Sequence, residues 1–395
     1  MKTTIAIMMY YMECGGVEKA LINLLDQLDP DKYVIDLFLL ERKGEFLEQI
    51  PAYVNQRVLP ITELERKLIV SVSIRETVRL GLRNKDYIRT LLLTLQYAFR
   101  KIAGSCAPAY QTGLSRLKCK TYDIALDFHG YLSLTTVFLA DKIVAKKKYT
   151  WIHSEGIIPS VSSMEEYFHK YDKIVCVSEK CCKLMRENLS SFDRKRICVI
   201  KNFINVQEIR RMAFSNPEFE WPGDGLRLLT VGRLSVQKGY DFAIEVARHL
   251  KQNGIKFQWL FCGEGSMRQN LEALIEKHHL KEEVYLLGYC DNPYAYMASC
   301  DIYVQPSRYE GYAVTVTEAV ALGCAVVSTD VSGASEEIIN KQNGIITPIS
   351  AQGIYDGIMG LIREPKKLQD MRNNLPSKNH NKDTKVLLDQ LLEIN

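Results

Sequence analysis

Two glutamates, Glu310 and Glu318, and two cations, Arg233 and Lys238, are the side chains of this sequence best placed to do chemistry. Glu310 stands in the stretch Pro306-Ser-Arg-Tyr-Glu-Gly-Tyr-Ala-Val-Thr-Val-Thr-Glu318. A strand ends near Gln305 and a helix begins near Val314, so Glu310 falls in the loop and Glu318 about one turn inside the helix. The amides of Gly311, Tyr312, Ala313 and Val314 then form a helix N-terminus, where free donors and the helix dipole favour a phosphate. Gly311 lets the chain approach a ligand closely. One carboxylate suits sugar hydroxyls and the other ribose hydroxyls, although the spacing also fits a capping loop with two surface glutamates.

Arg233 and Lys238 share one loop, Gly232-Arg-Leu-Ser-Val-Gln-Lys-Gly239, after an expected strand at 228–231. Arginine grips a phosphate with two parallel bonds and lysine adds a point charge. A departing nucleoside diphosphate needs such stabilisation; an ordinary solvated basic loop has the same composition. After the first expected strand, Gly15-Gly16-Val17-Glu18-Lys19 admits close approach of an anion or sugar, or makes a plain tight turn. Trp151-Ile-His153-Ser-Glu155 puts His153 at a strand end, where it suits either a sugar or acceptor hydroxyl or a structural bond. His129, in Asp127-Phe-His-Gly-Tyr131, has the same placement.

Other patterns carry less. Gly263-Glu-Gly265-Ser-Met-Arg268 lacks the third glycine of a dinucleotide fingerprint. Asp29-Pro30-Asp31 has the form of a metal-holding triplet but falls at the wrong end of the sheet, and reads as a Pro-Asp turn. No His/Cys spacing suits a metal, and neither a Walker loop nor a nucleophile elbow is present.

These loops need strands to hold them. Short β-rich runs at 5–10, 34–40, 124–128, 148–153, 173–177 and 198–201 alternate with an amphipathic stretch at 17–28 and further connections. A second series has strands at 226–231, 258–262, 284–287, 302–305, 325–329 and 344–347, with helices at 240–253, 267–278 and 315–322. Alternation of this kind means parallel sheets with helices on both faces, and ligands then bind beyond the carboxyl ends of the strands. With 395 residues, 47% of them hydrophobic, two domains are expected, and the polar segment 215–225 is the linker candidate. The first five residues and the apolar run to Met12 read as a buried first strand rather than a signal peptide. No uninterrupted apolar run is long enough to span a bilayer.

Net charge is +4, too small for a nucleic-acid binder. It is uneven: residues 1–200 carry 30 Lys and Arg against 23 Asp and Glu, and the remainder is mildly acidic. The segment 75–101 interleaves Arg75, Arg79, Arg83, Lys85, Arg89, Arg100 and Lys101 with Leu, Ile, Tyr and Phe. It reads as basic amphipathic helices, suited to an anionic membrane or to an ordinary solvated face. Eleven cysteines without a C-x-x-C pair read as small buried hydrophobes in a reducing compartment.

Taken together, these stretches resemble retaining glycosyltransferases of the family 4 type with the GT-B fold. The likeness rests on Val231-Gly-Arg233, Lys238-Gly239, Gly263-x-Gly265, Leu287-Gly288, Asp301-Ile-Tyr-Val-Gln-Pro-Ser307, Glu310-x7-Glu318 and 319–323. It covers about residues 228–348, and Gly15-Gly16, His153 and Val177-Ser178-Glu179 also fit. The resemblance implies two facing Rossmann-like domains: 1–205 for the acceptor, 206–378 for the nucleotide sugar, and a last helix in 379–395 crossing back to the first domain through Val386, Leu387 and Leu391. It implies that Arg233 and Lys238 neutralise the donor diphosphate, with Gly232 in their loop. Glu318 would bind the ribose, Glu310 the transferred sugar beside the Gly311, Tyr312, Ala313 and Val314 amides. Gly15 and Gly16 would lie against the diphosphate or sugar, and His153 near the reacting carbon. The expected donor is a UDP-sugar used without metal or other cofactor, and the expected acceptor is lipid-linked or an oligosaccharide. The expected location is cytoplasmic, with the inner face of the cell membrane as the site of any association. One departure stands out: family members often carry a glycine pair where this chain has Val331-Ser332-Gly333, so donor preference is expected to differ. An epimerase of the same fold, or a non-catalytic partner in a membrane glycan assembly, are the competing readings.

Overall fold

A computed structural model describes residues 2–13, 15–59, 74–83, 85, 87, 88, 90, 91, 94, 95, 120–130, 134–189, 191–339, 341–373 and 380–393. Two parallel sheets account for most of it. The first contains β1 (Thr3–Met9), β2 (Tyr33–Leu39), β3 (Val54–Val58), β4 (Thr121–Asp127), β5 (Val144–Ile152), β6 (Lys173–Cys176) and β7 (Ile197–Val199), in the order β3-β2-β1-β4-β5-β6-β7. The second contains β8 (Leu226–Val231), β9 (Phe257–Cys262), β10 (Val284–Gly288), β11 (Ile302–Gln305), β12 (Ala325–Thr329) and β13 (Gly344–Thr347), in the order β10-β9-β8-β11-β12-β13. The central strands are apolar without alternation, because helices cover both faces; Ile5 to Met9 of β1 and all of β9 are buried.

Strand order reverses between β1 and β4 in one sheet and between β8 and β11 in the other. Crevices open at such switch points, beyond the carboxyl ends of the strands. Gly15 follows β1, the basic loop follows β8, the Glu310 loop follows β11, and His153 follows β5.

Several elements depart from the expectation. Strand β3 was not foreseen: its sequence VNQRV buries only Val54 and pairs along one edge of β2, so no apolar run marks it. Helix Pro293–Ser299 also escaped notice; it starts with proline in its first turn and buries Tyr294 and Tyr296. Helix Val206–Ala213 lies against the second sheet's helices, with Arg210 donating to the Ala321 carbonyl (3.4 Å) and Asn292 to that of Met212 (2.9 Å). Within 215–225, the Phe219 amide donates to the Tyr296 hydroxyl (3.0 Å) and the Trp221 indole to Ser299 (3.0 Å). That segment is therefore pinned to the second domain rather than hanging between the two.

The last helix, His380–Leu392, lies on the first domain. Tyr149 donates to the Leu391 carbonyl (2.9 Å), and Asn381 bonds both backbone groups of Ile204. Leu388, Leu391 and Leu392 are the buried positions, while Val386 and Leu387 are about half exposed. The inward stripe runs through 384, 388 and 391 at helical period, which turns 386 to the opposite face, leaves 387 half exposed at the margin of the stripe, and corrects the expectation for those two.

The basic segment is described in part. Helix Ile74–Arg83 and residues Lys85, Tyr87, Ile88, Leu91 and Leu95 are seen, with Leu82 54%, Ile88 77% and Leu91 61% exposed; Arg89, Arg100 and Lys101 lie outside the described residues. Among the described residues, no helix is long and apolar enough to cross a membrane. Eight cysteines are described and all are free thiols, six of them buried. The triplet at 29–31 forms a turn, the Asp31 amide donating to Asp29 Oδ1 (2.8 Å).

Candidate functional site

The loop after β8 ends in a short turn, Val236–Lys238, closed by Gly239 at φ +66°. A Cβ on Gly239 would fall 2.0 Å from the Pro306 carbonyl oxygen, so only glycine lets this loop abut the one after β11. That contact carries Lys238 to Glu310: Nζ lies 2.7 Å from Oε1. The same oxygen accepts from the Ser307 hydroxyl (2.6 Å) and the Gln305 amide (3.1 Å). Gln305 is oriented in turn by the hydroxyls of Tyr303 (2.9 Å) and Thr315 (3.2 Å) on its Oε1. Glu310 is 5% exposed, and a buried carboxylate is tolerable only with donors of this kind. Oε1 thereby accepts from three donors. Lys238 is thus the counter-ion of Glu310.

Arg233 reaches the other way, toward the first domain. Measured from a Cβ position on Gly15, its Nη2 lies at 3.6 Å and Glu18 Oε2 at 2.3 Å, so the two groups flank the same point from opposite domains. Around Gly16 the corresponding space is open. Glu18 is buried, and desolvation pushes its carboxyl up to about 7, only partly countered by its own amide and by the Arg233 charge.

The helix Val314–Ala321 opens differently from the expectation. The Val314 amide donates to the Tyr312 carbonyl (2.7 Å) and the Glu310 amide to Glu155 (3.4 Å), so Val314 does not present a donor to an anion in this arrangement. Ala313 supplies the first helical acceptor, to the amides of Val316 and Thr317 (2.9 and 3.1 Å). The Tyr312 hydroxyl donates to Glu337 (2.9 Å). A Cβ on Gly311 would lie 1.5 Å from the His153 carbonyl oxygen. Glycine is required there by the backbone of the other domain, not by a ligand. Glu318 is buried, its Oε1 accepting from Tyr294 (2.9 Å), and desolvation raises it to about 7 against the pull of that bond and of Lys19.

His153 is buried with Nε2 2.7 Å from the Phe128 carbonyl oxygen. A carbonyl only accepts, so the proton sits on Nε2. Burial holds the imidazole down at about 4 and therefore neutral at physiological pH. His129 is held down to about 3 by burial and by His153, and stacks on Tyr10 at 4.1 Å. One crevice thus collects cations, two high-pKa carboxyl groups and glycine-lined backbone from four strand ends.

The model of glycosyl transferases group 1 matches residues 213–378 of the chain. Over 93% of each chain, the protein is 23% identical to N-acetylgalactosamine-N,N'-diacetylbacillosaminyl-diphospho-undecaprenol 4-alpha-N-acetylgalactosaminyltransferase of Campylobacter jejuni. Its structure is similar to sucrose-phosphate synthase of Thermosynechococcus elongatus (TM-score 0.70, 16% identity, 99% of this chain and 98% of that one). It is also similar to HepE of Anabaena, solved in complex with UDP (TM-score 0.65, 15% identity, 99% and 98%). The two facing Rossmann-like sheets are the GT-B fold.

Three supporting residues lie outside the set that the sequence predicts: Tyr294, which holds Glu318, and Gln305 and Ser307, which hold Glu310. A Pro-Ser pair after a strand is a faint sign of the last two, and nothing local marks Tyr294. Glu18 was visible only as part of the Gly15-Gly16 stretch; an acidic residue in the first turn of an otherwise apolar helix, Gly16–Leu25, is its signal.

Proposed function

We propose that this glycosyltransferase moves a sugar from a UDP-sugar to a lipid-linked or polysaccharide acceptor, with retention of anomeric configuration and without a metal. The observation that carries the reading is the Lys238–Glu310 pair at 2.7 Å with Arg233 beside Gly15 across the crevice. Arg233 and Lys238 stabilise the diphosphate as charge develops on it. Glu310 receives a sugar hydroxyl on Oε2, Glu318 the ribose, and Gly15, Gly16 and Gly232 leave room for the diphosphate, whose oxygen takes the acceptor proton. His153, neutral and fixed by Phe128, offers Nδ1 as an acceptor toward the sugar. No protein nucleophile is needed on this route.

A lipid-linked acceptor is supported by the exposed Leu82, Ile88 and Leu91 beside Arg79, Arg83 and Lys85, a composition that seats on an anionic leaflet, and by the printed acceptor of the Campylobacter jejuni relative. On this reading the enzyme works at a cytoplasmic membrane face. The test is a melting screen across nucleoside diphosphates and UDP-sugars, since a ligand bound only by the folded chain raises the melting temperature. Labelled UDP-sugar and an undecaprenyl-diphosphate saccharide follow, with the anomer read by NMR. No shift with any nucleotide refutes the donor assignment. Epimerised UDP-sugar in a reaction lacking acceptor refutes the transfer.

A further inference from the structure

Beyond His153, the loop after β5 makes polar bonds between the two domains. Glu155 donates its amide to the Glu310 carbonyl (3.3 Å) and accepts the Glu310 amide on Oε1 (3.4 Å). One residue of the first domain therefore holds both backbone groups of Glu310. Its other oxygen accepts the Ser332 hydroxyl (2.7 Å) and faces Lys180 Nζ at 3.6 Å. Lys180 extends the contact, its Nζ donating to the Asp330 carbonyl (3.2 Å) and its amide to Glu336 (3.3 Å). Lys201 pairs with Glu337 (2.9 Å), the residue that also takes the Tyr312 hydroxyl.

Glu310 is thus fixed by two independent grips. Its side chain is held from within the second domain by Lys238, Ser307 and Gln305, whereas its peptide is held from the first domain by Glu155. We propose that Glu155 is a positioning residue: it docks the first domain onto the Glu310 peptide and, with Ser332, sets the loop that meets the transferred sugar. The Ser332 hydroxyl is the group that Glu155 Oε2 binds. The loop around it touches the site directly: Gly333, at φ +79°, comes so close that a Cβ would lie 2.8 Å from the Ala313 nitrogen and the Tyr312 Cα. The aim of Glu310 therefore depends on the two domains being together, and the dependence runs through a pair of side chains outside the reacting set. The proposal rests on the transferase reading above.

The experiment compares the full chain with Glu155→Ala, Glu155→Gln and Ser332→Ala. Hydrogen exchange is followed without ligand in peptides covering 308–316, together with UDP affinity by calorimetry and turnover of the UDP-sugar that the wild type uses. In Glu155→Ala, exchange across 308–316 accelerates at least ~10-fold while that of helix Tyr240–Gln252 is unchanged, and kcat falls about 10²-fold with KM nearly constant, the cost of a misplaced reacting group. Glu155→Gln keeps an acceptor for the Glu310 amide and restores both readouts to within about threefold. Ser332→Ala falls between them. Unchanged exchange and turnover in Glu155→Ala overturns the proposal. So does failure of the glutamine variant to rescue, which would mark Glu155 as a structural charge. A wild type that binds no UDP and uses no UDP-sugar counts against the transferase reading alone, because the exchange result is read without ligand.

Discussion

Glu318→Gln offers the sharpest check on the electrostatics of the site. Burial raises the Glu318 carboxyl from 4.5 in the free chain to about 7, so the folded state holds a proton that the unfolded state has lost between those values. Stability then declines as pH rises from about 4.5 through 7, and is fully reduced above that. At 1.36 kcal/mol per unit, the shift amounts to about 3 kcal/mol at pH 8 and to less than about 1 kcal/mol at pH 5. Glutamine keeps an acceptor for the Tyr294 hydroxyl, 2.9 Å away in the wild type, and has no charge to bury. The variant should match the wild type at pH 5 and exceed it at pH 8, by a melting difference of roughly 2–4 °C per kcal/mol. Glu18 titrates in the same range but is present in both proteins, so the comparison isolates Glu318. Urea or thermal unfolding at half-unit steps between pH 5 and 8 supplies the curve. A gap of equal size at both ends, or one that shrinks with pH, would mean that Glu318 is ionised and satisfied, and the reasoning fails.

Lys238→Ala removes the counter-ion of Glu310 and one diphosphate ligand, and should lower kcat by about 10²–10³-fold; equal turnover removes Lys238 from the proposed chemistry. Ionisation of Glu18 above about pH 7 puts a negative charge beside Arg233, so UDP affinity should weaken there and Glu18→Gln should flatten the decline, as titration calorimetry at pH 6 and 8 will show. Gly311→Ala sets a methyl against the His153 carbonyl; kcat should drop ~10²-fold with a larger radius of gyration in X-ray scattering, and an unchanged radius contradicts the packing argument. Serine at Leu82, Ile88 and Leu91 together should reduce binding to vesicles containing phosphatidylglycerol by about 1.5 kcal/mol for each side chain that inserts, and undiminished sedimentation would dismiss that surface.

The central strands are readable from the amino acids alone because helices cover both faces, so Ile5–Met9 of β1 is an unbroken apolar run and β8, β9 and β12 are mostly apolar. The loops that follow them carry glycines and charges that no core explains, which is why Arg233, Lys238 and Glu310 stand out as candidates in the sequence. What could not be read depends on the partner domain. Gly311 looks like a residue cleared for a ligand, and only the His153 carbonyl shows another reason for it. His153 itself is fixed by Phe128, which is distant in any local pattern. Edge strand β3 escaped because its exposed face needs no hydrophobic residue. Helix His380–Leu392 was placed on the right domain with two of its three contacts misassigned, since a run of Val386, Leu387 and Leu388 does not reveal which member points inward.

The final helix has a practical consequence for exchanging parts between relatives. Helix Pro365–Asn373 belongs to the second domain, with Arg372 on Asp301 at 3.1 Å, yet the helix that follows is seated on Tyr149 and Ile204 of the first. A chimera cut once, at the crossover near residue 205, would graft a foreign tail onto the host's first sheet. Splicing at both crossovers, so that 380–393 stays with its own N-terminal half, preserves the native seam and lets donor preference be transplanted as a cassette.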